Sequence, residues 1–118
     1  MNQEEMKART KAFALKIIKI IESFPHHRTA EVMAKQLLRS AMSVGANYRA
    51  ACRAKSSADF IAKMGIVEEE ADECIYWMEL LVDSGLINHN DLNYLMEEAN
   101  ELLAITVASI KTARNRKR

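Results

Sequence analysis

Turn-forming residues are scarce in this chain. Its 118 residues include three glycines and one proline, too few to punctuate the many short strands of a sandwich or barrel. Aromatic residues make up only 6%, while the broad hydrophobic class reaches 49%. Apolar content carried by aliphatic side chains and alanine, with so few breakers, favours helices. Long apolar runs are missing too: Leu102 to Ile110 is interrupted by Thr106 and Ser109, and Ile17-Ile18 is followed by Lys19. Nothing approaches the ~20 apolar residues of a membrane span. The opening MNQEEMKARTK has no apolar stretch ahead of a small-residue cleavage site, so it does not read as a secretory signal. The two cysteines, Cys52 and Cys74, form no CxxC or CxxH pair and sit within helical apolar patterns. They are expected as buried free thiols in a reducing, cytoplasmic setting.

Residue types that carry chemistry are present but not arranged for it. A metal site in a bundle core calls for Glu-x-x-His pairs on facing helices. Here His26, His27 and His89 fall at expected helix ends, and Glu70 and Glu73 form Glu-x-x-Glu with no histidine nearby. The run Glu68, Glu69, Glu70, Asp72, Glu73 therefore reads as a solvated or interface face. Neither cysteine shares a helix with a histidine base, and there is no glycine-rich phosphate loop. The expectation is a protein that is not an enzyme and takes no metal, cofactor or small-molecule substrate.

Four helical patterns follow one another, at about 4–24, 29–54, 57–84 and 90–113, within a single domain 1–118 that ends in a basic tail, 111–118. In the first, Met6, Phe13, Ile17, Ile20, Ile21 and Phe24 share a face, and Pro25 stops it. The second starts at Thr29 as N-cap and carries Met33, Leu37, Ala41, Val44, Tyr48 and Ala51 or Cys52. Gly45 inside it points to a bend or a close helix approach, since a mid-helix glycine costs about 1 kcal/mol relative to alanine. The third opens with a capping-box spacing, Ser56 to Asp59, runs through Phe60, Met64, Val67, Ala71, Ile75, Met78 and Val82, and stops at Gly85 with Leu86 behind it. The fourth begins around Asn88 or Asn90 with Asp91 in its first turn and carries Leu92, Leu95, Met96, Ala99, Leu102, Leu103, Thr106 and Ile110. Short connections oblige neighbours to run antiparallel, so the expected fold is all-α, an up-down-up-down four-helix bundle. Leu15, Ile18, Ile66, Trp77, Tyr94, Ile105 and Val107 fall outside the core stripes, a surplus of apolar surface that suits a subunit interface.

The formal charge of +1 conceals a segregation along the chain. From Met1 to Lys55, eleven basic residues accompany four acids; from Ser56 to Ile110, Lys63 stands alone among twelve acids. The tail turns basic again, with Lys111, Arg114, Arg116, Lys117 and Arg118. Faces of opposite sign would attract nucleic acid or pair with another copy of the chain, the acidic third helix against the basic first or second. In the second helix Gln36, Arg39, Ser40, Ser43 and Asn47 recur at helical steps beside the apolar face. That line either hydrogen-bonds across the bundle and fixes its register or, with Arg39, Arg49, Arg53 and Lys55, presents a phosphate-binding strip. Lys7, Arg9, Lys11, Lys16 and Lys19 would extend such a strip. The tail is either a solubilising end or a further nucleic-acid contact.

The run from Lys35 to Ile87 resembles the bacterial four-helix bundle proteins known as 23S rRNA intervening-sequence proteins. The likeness rests on QLLRS-x-x-S-V-x-x-N (Gln36 to Ser40, Ser43, Val44, Asn47), on S-x-x-D-F-I-x-K-M (Ser56, Asp59, Phe60, Ile61, Lys63, Met64) and on E-x-x-Y-W-M-E-L-L (Glu73, Tyr76 to Leu81). With the flanking helices it covers nearly the whole chain. The chain departs from the family pattern after Asn47, where Tyr48-Arg49-Ala50-Ala51 stands in place of an acidic residue and a glycine, and at Glu69-Glu70-Ala71, which makes its third helix more acidic. The resemblance implies a ring of five bundles. It also implies kinship with an accessory protein of diversity-generating retroelements that uses a basic pentameric barrel to bind RNA and a reverse transcriptase. The partners expected are thus further copies of the chain and RNA or another nucleic acid; the alternative is a protein-interaction adaptor or scaffold without nucleic acid.

Overall fold

Several helix ends of this chain coincide with a local hydrogen-bonding device. The computed structural model describes residues 1–116 and contains α1 (Gln3–Glu22), α2 (Arg28–Cys52), α3 (Ser57–Asp83) and α4 (His89–Arg116). Asn2 caps α1, its side-chain oxygen accepting from the Glu5 N–H at 2.8 Å. The helix closes two residues earlier than the apolar pattern extends, because Ser23 takes the C-cap and its hydroxyl donates to the Ile20 carbonyl at 2.6 Å. Thr29 does not cap α2: His27 occupies that position with no side-chain hydrogen bond, and Thr29 lies inside the first turn. At α3 the capping box is made, the Asp59 N–H donating to Ser56 Oγ at 3.0 Å. Its return arm falls one residue early, since Asp59 accepts from the Lys55 N–H. Gly85, at φ 80°, ends α3, and the Ile87 N–H donates to the Leu81 carbonyl at 3.1 Å. Asn88 precedes α4 and accepts from the Asn90 N–H.

The apolar stripes meet in one core. Phe13 and Ile17 of α1, Leu37 and Val44 of α2, Met64, Val67, Met78 and Leu81 of α3, and Leu92, Leu95 and Leu102 of α4 are all fully buried. Burying a side chain of this size stabilises by about 1.5–3 kcal/mol. Ile75 and Val82 of α3 pack only partly, since their neighbours Cys74 and Leu81 occupy the inward positions instead. Thr10 and Thr106 are also buried; each hydroxyl donates within its own helix, to the Met6 carbonyl at 3.0 Å and to the Leu102 carbonyl at 2.7 Å. Gly45 marks a close approach: a Cβ there would sit 3.3 Å from Thr10 Oγ1 on α1.

Each helix packs on its chain neighbour and α4 returns to α1, so the order around the bundle is sequential and up-down-up-down. The α2–α3 pairing is the most extensive and the α1–α4 seam the slightest. The bundle measures 50 × 21 × 20 Å. Among the described residues no helix is long and apolar enough to cross a membrane.

Candidate nucleic-acid interface

The alternating directions of the helices collect basic residues at one end. The C-termini of α2 and α4 lie beside the N-termini of α1 and α3, where Arg116 lines hollows with Met1, Gln3 and Phe60 and with Cys52 and Ser56. Arg53 at the C-cap of α2, Lys55 in the following turn, and Lys111, Arg114 and Arg116 in the last turns of α4 all belong to this end and are exposed at its surface. α4 remains helical through Arg116, so residues 111–116 of the basic tail continue that helix. Lys117 and Arg118 lie outside the described residues. Cations in the last turns of α2 and α4 also suit the negative ends of those helix dipoles.

Among the described residues, none of Arg53, Lys55, Lys111, Arg114 and Arg116 has a side-chain ion pair, whereas other candidates for phosphate contact do. Arg9 is engaged across the α1–α4 seam: its Nε and Nη2 donate to the two Glu98 oxygens at 2.7 and 2.6 Å, and Nη2 lies 3.0 Å from Glu101. The Arg9 hydrogen bonds hold the Glu98 carboxyl below its ordinary value, against a smaller opposing effect of burial. Arg39 spans α2 to α3, with Nη1 at 3.0 Å from Glu70 and Nη2 at 2.8 Å from Glu73. Lys7 pairs with Glu4 along α1 at 3.2 Å. It shares a groove of about 640 Å³ between α1 and α2 with Lys11 and Arg49. Lys16 lies on the opposite flank of α1, near enough to Glu98 to help lower its pKa.

Within the polar line of α2, Arg39 reaches Glu70 and Glu73 on α3 and Ser43 reaches Glu70, and the remaining hydrogen bonds stay within the helix. Ser40 is buried and its Oγ accepts from Arg39 Nη2 at 3.1 Å. Asn47 Nδ2 donates to the Ser43 carbonyl and hydroxyl at 2.9 and 2.8 Å. Gln36 is exposed. Glu70, only 7% exposed, receives this network on α3. Burial alone would raise its pKa, but hydrogen bonds from Ser43 and Arg39 outweigh that and leave it lowered. The same environment raises Cys74: burial first, then the Glu70 and Glu73 charges, push its thiol to about 12.

Of the remaining motif residues, Asp59 lies in the first turn of α3 and pairs with Lys63 at 2.6 Å, and Phe60 packs partly on the core. Tyr76 is half exposed and meets Trp77 edge-on, ring centroids 5.3 Å apart. The Trp77 Nε1–H is enclosed without a partner among the described residues. No group of three or more His, Cys, Asp or Glu there is placed to hold a metal ion. Sequence reasoning missed Thr10, and it missed Glu98 and Glu101, whose partner Arg9 lies some 90 residues away. It also missed the exposure of Val32 and Met42.

Residues 3–108 match the family described as 23S rRNA-intervening sequence protein. Among solved structures, the chain is similar to a protein of unknown function from the S23 ribosomal protein family of Bacteroides thetaiotaomicron. That likeness has 34% identity and a TM-score of 0.86, and it covers 94% of this chain and 99% of the other. No curated protein matches the chain.

Proposed function

We propose, since this chain belongs to the 23S rRNA-intervening sequence protein family, that it is a non-catalytic, homo-oligomeric bundle that binds structured RNA through its basic end. The observation that carries this reading is the contrast among the basic residues. Arg9 and Arg39 are occupied by carboxylates, while Arg53, Lys55, Lys111, Arg114 and Arg116 stand at one end without a side-chain ion pair among the described residues, Asp59 being the one carboxylate that feels the charge of Lys55 there. Unpaired cations gathered on one end are the electrostatic footprint expected of a phosphate-backbone contact. Five such ends in the ring that the family likeness implies would multiply each weak contact by effective concentration. A cytoplasmic accessory role beside a reverse transcriptase is what kinship with the retroelement proteins would add to this reading.

The test is retention of a structured RNA in a gel-shift titration at low and physiological salt. Affinity should fall steeply with salt, with a log–log slope of roughly −0.7 to −0.9 per phosphate neutralised. Arg53→Glu with Arg114→Glu should weaken binding severely and flatten that slope. No retention at low salt would overturn the reading. The exposed Tyr76 and Tyr94 favour a protein partner as the second reading. A complex that survives nuclease treatment would support it.

A further inference from the structure

The two hollows at the basic end differ in their lining from those along α1 and α2. The hollow at the α1–α2 turn is flanked by Glu22 and Glu31, and the groove between those helices by Glu4. Among the described residues no carboxylate lines either hollow at the basic end, and Arg116 lines both. The larger holds about 500 Å³, within the roughly 300–1,000 Å³ of a small-ligand site. Phe60 and Gln3 also line both, so the hollows meet at the Phe60 side chain. The acids in the first turns of α1 and α3 are engaged with other groups: Glu4 with Lys7, Glu5 with Asn2 and Asp59 with Lys63. Burial, then the neighbouring Cys52 and Glu4, push the Tyr48 phenol above its ordinary value, so the floor of the larger hollow stays a neutral hydroxyl.

The walls of this depression combine apolar surface with polar groups that have no other task. Phe60 and Ile105 are half-buried along it. The Gln3 amide and the Ser109 hydroxyl, also in its lining, make no side-chain hydrogen bond among the described residues. An aromatic ring and a guanidinium plane are the two kinds of surface on which an unstacked base lies, and amides and hydroxyls bond to its edge. The phosphates on either side of such a base would fall among Arg53, Lys55, Lys111 and Arg114, which stand around the same end. A continuous duplex offers its phosphates to those cations but keeps its bases stacked and paired, and leaves the depression unfilled.

We propose that the depression around Phe60 takes an unpaired nucleobase of the bound RNA, with Phe60 and Arg116 as stacking surfaces, Gln3 and Ser109 at the base edge, and the neighbouring cations on the flanking phosphates. This rests on the reading of the basic end as an RNA surface and names the RNA that surface selects: one with a loop or bulge rather than an unbroken duplex. Every base has a π-face, so stacking distinguishes unpaired from paired nucleotides more than it distinguishes one sequence from another. The cations supply the salt-dependent part of the affinity, and the depression supplies the part that depends on the base.

The test compares an RNA hairpin that has an unpaired loop with the same hairpin made abasic throughout the loop, which keeps every phosphate and removes only the loop bases. In gel-shift titrations the abasic hairpin should bind about tenfold more weakly, the loss expected for one stacked base, with the same salt slope. Phe60→Leu should abolish that difference and leave the slope unchanged. Because Phe60 also packs partly on the core, Ala108→Leu supplies a second variant: Ala108 is exposed and lines the larger hollow, so a neutral side chain there crowds out the base. Circular dichroism checks the helicity of both. Equal binding of the two hairpins by the parent protein, or a difference that persists in both folded variants, overturns the base site and leaves the end-on RNA reading standing. Retention of neither hairpin at low salt overturns both.

Discussion

Charge on a side chain does not by itself say what the side chain does, and Arg9 and Arg39 show why. Both are candidates for phosphate contact on sequence grounds, yet their guanidinium groups face carboxylates that lie on other helices, at Glu98 and at Glu70. Local sequence records no trace of a partner 89 or 31 residues away. Conversely, Cys74 is readable as a buried thiol from its place in an apolar pattern, and it is fully buried, whereas Cys52 is only partly so. With its thiol raised to about 12, Cys74 holds essentially no thiolate near neutral pH. A disulfide-exchange reagent should accordingly label at most one thiol per native chain, Cys52, and both once the chain is denatured. Rapid labelling of Cys74 in the native protein would contradict the packing around it.

Helix boundaries are legible in the sequence wherever a side chain or a glycine supplies the cap, as at Ser56 and Gly85. They are not legible at the start of α2, where no side chain caps and tertiary packing holds the helix end. The two mid-helix glycines separate propensity from packing. Gly65 on α3 has nothing within 4 Å of a built Cβ, so Gly65→Ala should stabilise the fold by about 1 kcal/mol. Gly45→Ala gains the same propensity but drives a methyl to 3.3 Å from Thr10 Oγ1, a hydroxyl already held by the Met6 and Lys7 carbonyls. Its urea midpoint should not rise and should fall below that of Gly65→Ala. A gain at both positions would show that α1 yields readily along α2.

At the scale of the molecule, four amphipathic periods and short connections are enough to specify the bundle, because an up-down-up-down arrangement is the simplest way to bury four apolar stripes together. Which basic residues share an end follows only once the alternation of the helices sets α2 and α4 in the same direction. The cross-helix carboxylates give the whole bundle an acid dependence. Glu70 and Glu98 titrate below their ordinary value of 4.5 when folded, so the unfolded chain binds their protons more readily. Their contribution is present above about pH 4.5 and is lost as pH falls through the lowered folded values. The expected outcome is a urea midpoint that drops steeply below that pH, with a shallower drop in Glu70→Gln/Glu98→Gln, which should also be less stable at neutrality. An equally steep drop in the double variant would assign the acid response to other groups.

The α1–α4 seam has one more consequence, in the order of synthesis. Arg9 leaves the ribosome 89 residues before Glu98, roughly 4–18 s earlier at about 5–20 residues per second. During that interval α1, α2 and then α3 become available to pair in turn, while the side of the core that α4 will cover stays open. The last contact made is also the slightest in the finished bundle. Bundle closure is thus a late event that depends on the final helix, and a nascent chain awaiting it exposes the same apolar stripes to any other copy being made nearby.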